Sequence, residues 1–126
     1  MSGVLLDSSI LIDLLRGHPP ALDYVKALDQ LPVASELTRV EVLRGVQSGE
    51  RRLTERLLGS LGWLPFDEPI ARRAGDLGRR WRTSNRGLAT VDLVIAATAL
   101  EHGLDLATLN VGHFPMFEGL VPPYRA

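Results

Sequence analysis

A chain of 126 residues with 45% hydrophobic and 23% charged side chains has the size and balance of one globular domain with a sizeable core. It contains no cysteine, which excludes disulfides, thiolate metal sites and a cysteine nucleophile, and fits a reducing cytoplasm. The net charge is only −1, yet thirteen of the fourteen basic residues are Arg and nine of those fall between Arg51 and Arg86, so a local basic face is compatible with near-neutrality.

The apolar opening MSGVLLDSSILIDLLRG is interrupted by Asp7 and Asp13. It has no basic residue ahead of it and no small-residue cleavage site behind it, so it reads as part of the fold rather than as a signal peptide. Val4 to Leu6 reads as a short buried strand ending at Asp7. Ser9 to Arg16 has helical length and is stopped by Gly17 and His18-Pro19-Pro20. Pro20 suits the first turn of a second helix running to about Gln30, and Pro32 opens a strand through Val33 and Ala34 to Ser35. Thr38 to Val46 is expected as a helix in which Thr38 and Glu41 form a capping box, with Gly45 near its end.

Another helix spans Glu50 to Leu58, and Trp63 to Phe66 fits a third strand. Between Glu68 and Arg82 the apolar residues Ile70, Ala74, Leu77 and Trp81 recur at helical spacing, with Arg72, Arg73, Arg79 and Arg80 on the opposite flank. Thr90 starts a long helix, Val91 to Glu101, ending at His102-Gly103. Asp105 to Leu109 is a fourth strand, and Gly119 to Val121 is a candidate edge strand before Pro122-Pro123. No apolar run reaches the roughly 20 residues of a membrane span. The expected fold is α/β, a three-layer sandwich with a central parallel sheet of four or five strands flanked by helices.

In such sheets ligands sit outside the carboxyl ends of the strands, where the strand order reverses. Asp7 ends the first strand, Glu41 follows the second, and Asp92 opens the helix leading into the fourth. Hard carboxylate oxygens on one rim suit Mg²⁺ or Mn²⁺. A competing explanation is local: Asp7 as an N-cap, Glu41 as a capping-box partner, and Asp92 as a first-turn acid facing the helix dipole. Position alone leaves both explanations open.

The surrounding blocks resemble the PIN-domain family, and within it the VapC-type ribonuclease toxins of toxin–antitoxin pairs. They are VLLDSSILIDLLRG around Asp7, ELTRVEVLRG around Glu41, and TVDLVIAATALEHGLDLATLNVGHF around Asp92, Thr108 and Asn110. Together they span residues 4 to 114 in the family's order. The resemblance implies a single PIN-like ribonuclease domain over residues 1–126 and a Mg²⁺-dependent (or Mn²⁺-dependent) endoribonuclease. Asp7, Glu41 and Asp92 match the motif acids, as metal ligands and catalytic residues. It also implies an RNA substrate, a cognate antitoxin whose C-terminal segment lies across the active-site groove, and a homodimer. Relatives often place a further acid just before the Phe of the last block, where this chain has Asn110 and His113. The departure puts a second metal in doubt.

On this reading a metal-activated water attacks phosphorus, so no protein nucleophile is needed. Ser9, Thr108 and Asn110 are candidates to hold the carboxylates, with turn and helix-start capping as their ordinary roles. Arg72, Arg73, Arg79, Arg80 and Arg86 are candidates to track the RNA backbone, as are Arg39 and Arg44 beside Glu41. Leu11, Leu14 and Leu15 are candidates for the antitoxin groove or for the core. Two other classes remain. One is a catalytically impaired PIN-like domain that only binds RNA or protein. The other is a haloacid dehalogenase-type phosphohydrolase, which expects a second Asp at the position of Ser9 and a downstream Lys, where the chain has only Lys26. No GxGxxG or Walker A loop supports nucleotide binding.

Overall fold

The computed structural model describes residues 3–81 and 88–125. Four short strands, β1 (Val4–Leu6), β2 (Val33–Ser35), β3 (Gly62–Leu64) and β4 (Asp105–Ala107), form one sheet in the order β3-β2-β1-β4. All three pairings are parallel, with Leu5 opposite both Val33 and Leu106, and Ala34 opposite Trp63. The chain steps outward from β1 to β2 to β3 and then returns to lay β4 on the other side of β1. The order therefore reverses at β1, which puts the carboxyl ends of β1 and β4 where an α/β sheet makes its crevice.

Between these strands run α1 (Ser8–Leu15), α2 (Pro19–Lys26), α3 (Glu36–Arg44), α4 (Arg51–Leu58), α5 (Glu68–Arg80) and α6 (Thr90–His102), with a short 3₁₀ turn at Val111–His113. Successive strand side chains point to opposite faces, and the sheet uses both. Leu5 and Leu106 pack into a core with Ile70, Leu77, Val94 and Ile95 from α5 and α6. Leu6, Ala34 and Ala107 pack into a second core with Ile10, Leu11, Val42 and Leu58 on the other face. Three layers result, as expected. Residues 93 to 99 of α6 are all buried, so this helix is apolar on every side and lies inside the molecule.

Helix ends follow local chemistry. Asp67 accepts the Ile70 N–H at 3.3 Å to open α5, with Pro69 in its first turn. Gly103 ends α6 in the left-handed region at φ 63°, and Leu104 N–H donates back to Ala99 O at 2.9 Å in a Schellman closure.

Several boundaries differ from the sequence expectation. The second helix ends at Lys26 rather than near Gln30. The third strand stops at Leu64, leaving Phe66 48% exposed. Gly119–Val121 is not a strand: Gly119 turns at φ 75°, and Pro122-Pro123 lack the N–H groups a ladder needs. The sheet therefore has four strands among the described residues. The Thr38–Glu41 capping box does not form either. Ser35, extended at φ −79° and ψ 146°, caps α3 by accepting the Leu37 N–H at 3.1 Å. The helix thus starts at Glu36, and Glu41 falls in its second turn. No helix among the described residues is long and apolar enough to cross a membrane.

Candidate active site

Asp7 leaves β1 at the strand-order reversal, its N–H donating to Ala107 O at 3.0 Å as the last rung beside β4. The residue is buried, and its main-chain carbonyl accepts the first N–H groups of α1, from Ile10 and Leu11. Its carboxylate makes no capping hydrogen bond to that helix. Instead Oδ2 accepts the Ser9 hydroxyl at 3.1 Å and the Thr108 hydroxyl at 2.7 Å. Each hydroxyl is itself fixed by a main-chain N–H: Leu109 donates to Ser9 Oγ at 3.1 Å and Asn110 to Thr108 Oγ1 at 3.0 Å. A hydroxyl that accepts from an N–H turns its single hydrogen toward the carboxylate. Asn110 therefore contributes through its backbone.

Glu41 approaches from α3. Burial first, then the negative charges of Asp7 and Asp92, push its carboxyl above the ordinary carboxylate range. A hydrogen bond from Ser8 and the charge of Arg44 pull the other way without cancelling the rise. Its Oε1 is buried without a hydrogen-bond partner. Asp92 lies in the first turn of α6, which Ala89 leaves without a side-chain cap. Burial and Asp7 raise the Asp92 carboxyl, and His113, with Nδ1 at 3.3 Å from Asp92 Oδ2, offsets part of that rise.

The three acids thus repel one another in a half-buried crevice, and the capping explanations fail for two of them. The Asp7 carboxylate bonds no helix N–H, Glu41 closes no capping box, and only Asp92 keeps a first-turn position favoured by the dipole. Among the described residues no three His, Cys, Asp or Glu side chains stand close enough to enclose an ion in their present rotamers, so the acids form an open cluster. Its chemistry nevertheless suits a hard divalent cation. All three acids offer oxygens, the carboxyls of Glu41 and Asp92 are held high by burial and by neighbouring acids, and one carboxylate oxygen is desolvated without a partner.

The arginines separate by position. α5 and α6 run antiparallel: Gly78 lies against Leu93 near the acid rim, whereas Arg73 pairs with Glu101 at 2.9 Å near the other end of α6. Nine residues of helix, about 14 Å at 1.5 Å per residue, separate Asp92 from Glu101. Arg72 and Arg73 are therefore remote from the acids, and Arg79 and Arg80 are on the near end. Arg72 is paired with Glu68 at 3.3 Å and Arg79 with Asp76 at 2.5 Å. Arg86 lies outside the described residues. Arg39 is occupied by Glu36 at 2.6 Å and by the Trp63 ring at 4.0 Å, so Arg44 is the α3 arginine whose charge reaches Glu41.

Leu11 is core and Leu14 and Leu15 pack beside it, and Leu15 also lines an open groove of about 330 Å³ with Ile12, Arg16, Val46 and Glu41. Lys26 borders an apolar cavity with Leu31, Pro32 and Leu61, at the edge where β2 and β3 begin. It is thus at the opposite end of the sheet from Asp7, which removes the dehalogenase-type arrangement. Sequence reasoning missed the Ser8 hydrogen bond to Glu41 and the His113–Asp92 contact. A serine after a strand-end acid signals capping, and only tertiary packing shows that it meets α3.

A PIN domain family model matches residues 4–114 of the chain. Over 123 residues the chain is 45% identical to Ribonuclease VapC19 of Mycobacterium tuberculosis, with 95% of this chain and 98% of that protein covered. It is 48% identical over 123 residues to Ribonuclease VapC10 of the same organism, covering 96% and 92%. A solved toxin-antitoxin complex from Klebsiella pneumoniae contains a chain that matches with a TM-score of 0.85 and 30% identity, over 98% of this chain and all of that one.

Proposed function

Because the chain belongs to the PIN-domain family, we propose that it is the ribonuclease toxin of a toxin–antitoxin pair. It is a single-domain enzyme that cuts RNA internally with Mg²⁺ or Mn²⁺ held by Asp7, Glu41 and Asp92. The observation that carries the reading is the Glu41 carboxylate, desolvated on Oε1 and raised by two further acids, a charge that Ser8 and Arg44 offset only in part and that a cation would stabilise. VapC19 and VapC10 carry the name ribonuclease, and the Klebsiella pneumoniae neighbour is a toxin-antitoxin complex. A cognate antitoxin is therefore the expected partner, in the cytoplasm, with the toxin itself a homodimer.

When bound, the cation supplies Lewis-acid activation of water and offsets charge on the phosphate. The chain does the rest. Ser9 and Thr108 hold Asp7 Oδ2 so that the carboxylate cannot rotate away from the crevice. Glu41 is suited to orient the attacking water or to accept its proton. Arg44 and the rim-end arginines Arg79 and Arg80 offset the repulsion between RNA and the acids.

Purified protein incubated with RNA should cut it in the presence of Mn²⁺ or Mg²⁺ and stop on chelation. Asp7→Asn and Asp92→Asn should each lower the rate by about 100-fold or more while retaining the fold. Full cutting by either variant, or cutting that survives chelation, would overturn the assignment.

A further inference from the structure

The turn at Val111–His113 is tied down on both sides. Upstream, Leu109 and Asn110 donate to Ser9 and Thr108, the same two hydroxyls that hold Asp7. Downstream, Phe114 is buried in the α5–α6 core and lies against the Phe117 ring at 6.4 Å. The turn itself is closed by His113 N–H on Asn110 O at 2.9 Å and Phe114 N–H on Val111 O at 3.1 Å. The backbone that carries the imidazole is therefore fixed relative to Asp92. The imidazole stands with Nδ1 at 3.3 Å from Asp92 Oδ2, while the side chain stays 59% exposed at the mouth of the crevice.

Asp92 differs from the other two acids in what supports it. Asp7 takes two hydroxyls and Glu41 takes Ser8. Asp92 lies in the first turn of a helix whose N-cap residue, Ala89, has no polar side chain, and it has His113 as an ion-pair neighbour. A short carboxylate on a first helical turn has several accessible rotamers unless something fixes one.

We propose that His113 is a positioning residue for Asp92, holding Oδ2 through Nδ1 and thereby presenting the other carboxylate oxygen to a divalent cation. The inference rests on the reading of Asp7, Glu41 and Asp92 as a metal cluster. An ionised carboxylate only accepts, so the imidazole tautomer it selects carries its hydrogen on Nδ1. The 3.3 Å separation of Nδ1 and Oδ2 puts the two groups within ion-pair distance. Because the same loop also fixes the donors of Asp7, one segment sets the orientation of two of the three acids.

The test is Mn²⁺ affinity, read by electron paramagnetic resonance on the purified full chain, alongside kcat and KM for RNA. His113→Ala should weaken Mn²⁺ by about 10- to 100-fold and lower kcat at subsaturating Mn²⁺, with KM for RNA unchanged. His113→Asn, whose amide N–H falls where Nδ1 does, should restore most of the affinity. His113→Gln, whose donor falls nearer the Nε2 position, should not. Unchanged Mn²⁺ affinity in His113→Ala with a native circular dichroism spectrum overturns the proposal, as does a rise in KM alone or equal rescue by Asn and Gln. A parent protein that binds no Mn²⁺ overturns the metal cluster and this inference together. A parent that binds it, with His113→Ala indistinguishable, overturns only the role of His113.

Discussion

Burial, Asp7 and Asp92 all raise the Glu41 carboxyl, in that order of size, and this has a thermodynamic sign. A carboxyl whose folded pKa lies above its unfolded value holds its proton longer in the native state. Stability from this group is then complete below the ordinary value of 4.5 and is lost as pH rises through the higher folded value. Without metal, Glu41→Gln should therefore be more stable than the parent at neutral pH, with the gap closing as pH falls from the raised folded value toward about 4.5. Urea melts of both proteins across pH 4 to 8 read this directly. Activity should move the opposite way, with Glu41→Gln cutting RNA about 100-fold more slowly if its oxygen accepts the water proton. Equal stability at every pH would mean that Glu41 is solvated and not part of the cluster. The sequence placed all three acids near one rim but could not separate cap from ligand, because both uses favour an acid beside a helix start. The separation came from hydrogen-bond partners, in particular the two hydroxyls on Asp7 Oδ2.

At the scale of elements, α5 carries a basic flank that the sequence presented as one continuous stripe. Helical periodicity gives the face of a residue but not the direction in which the helix runs past the site. The antiparallel packing on α6 divides the stripe by direction, with Arg79, paired with Asp76, and Arg80 toward the Asp92 end of α6 and Arg72 and Arg73 held by Glu68 and Glu101 toward the other. Replacing Arg79 and Arg80 with Gln should lower the magnitude of the salt-dependence slope of single-stranded RNA binding by up to about 1.4, two phosphate contacts at roughly 0.7 each. The same change at Arg72 and Arg73 should leave the slope within error. A larger effect from the far pair, measured by RNA titration at several salt concentrations with a chelated protein, would place the RNA path elsewhere. Strand and helix existence was legible from apolar runs and Gly or Pro stops, and the element order held up to the fourth strand, the candidate edge strand at Gly119–Val121 being the exception. Boundaries slipped where capping chemistry had two solutions. Ser35 and Thr38 are both good caps for α3, and the strand geometry at Ser35 selected the earlier one.

Across the whole molecule, the three acids come from the end of β1, from α3 and from α6, far apart in the chain and brought together by the parallel sheet and the helices packed on it. A ligand that binds this arrangement and not the unfolded chain must stabilise the entire fold, by about 2.7 kcal/mol when its concentration is 100 times its Kd. The two cores that carry the sheet meet at β1, so loosening either one moves Asp7 relative to α6. Mn²⁺ should therefore raise the melting temperature in a single transition, with far-ultraviolet circular dichroism and tryptophan fluorescence moving together. The two tryptophans suit the comparison, since Trp63 lies on β3 against the α1–α4 side and Trp81 packs against the α5–α6 core. Asp7→Asn should abolish the shift, because it removes the one acid fixed by both β4 and α1. The shift should also shrink as pH falls toward the raised carboxyls of Glu41 and Asp92, where protons compete with the cation. A Mn²⁺-dependent shift that persists in Asp7→Asn would locate the cation outside this crevice.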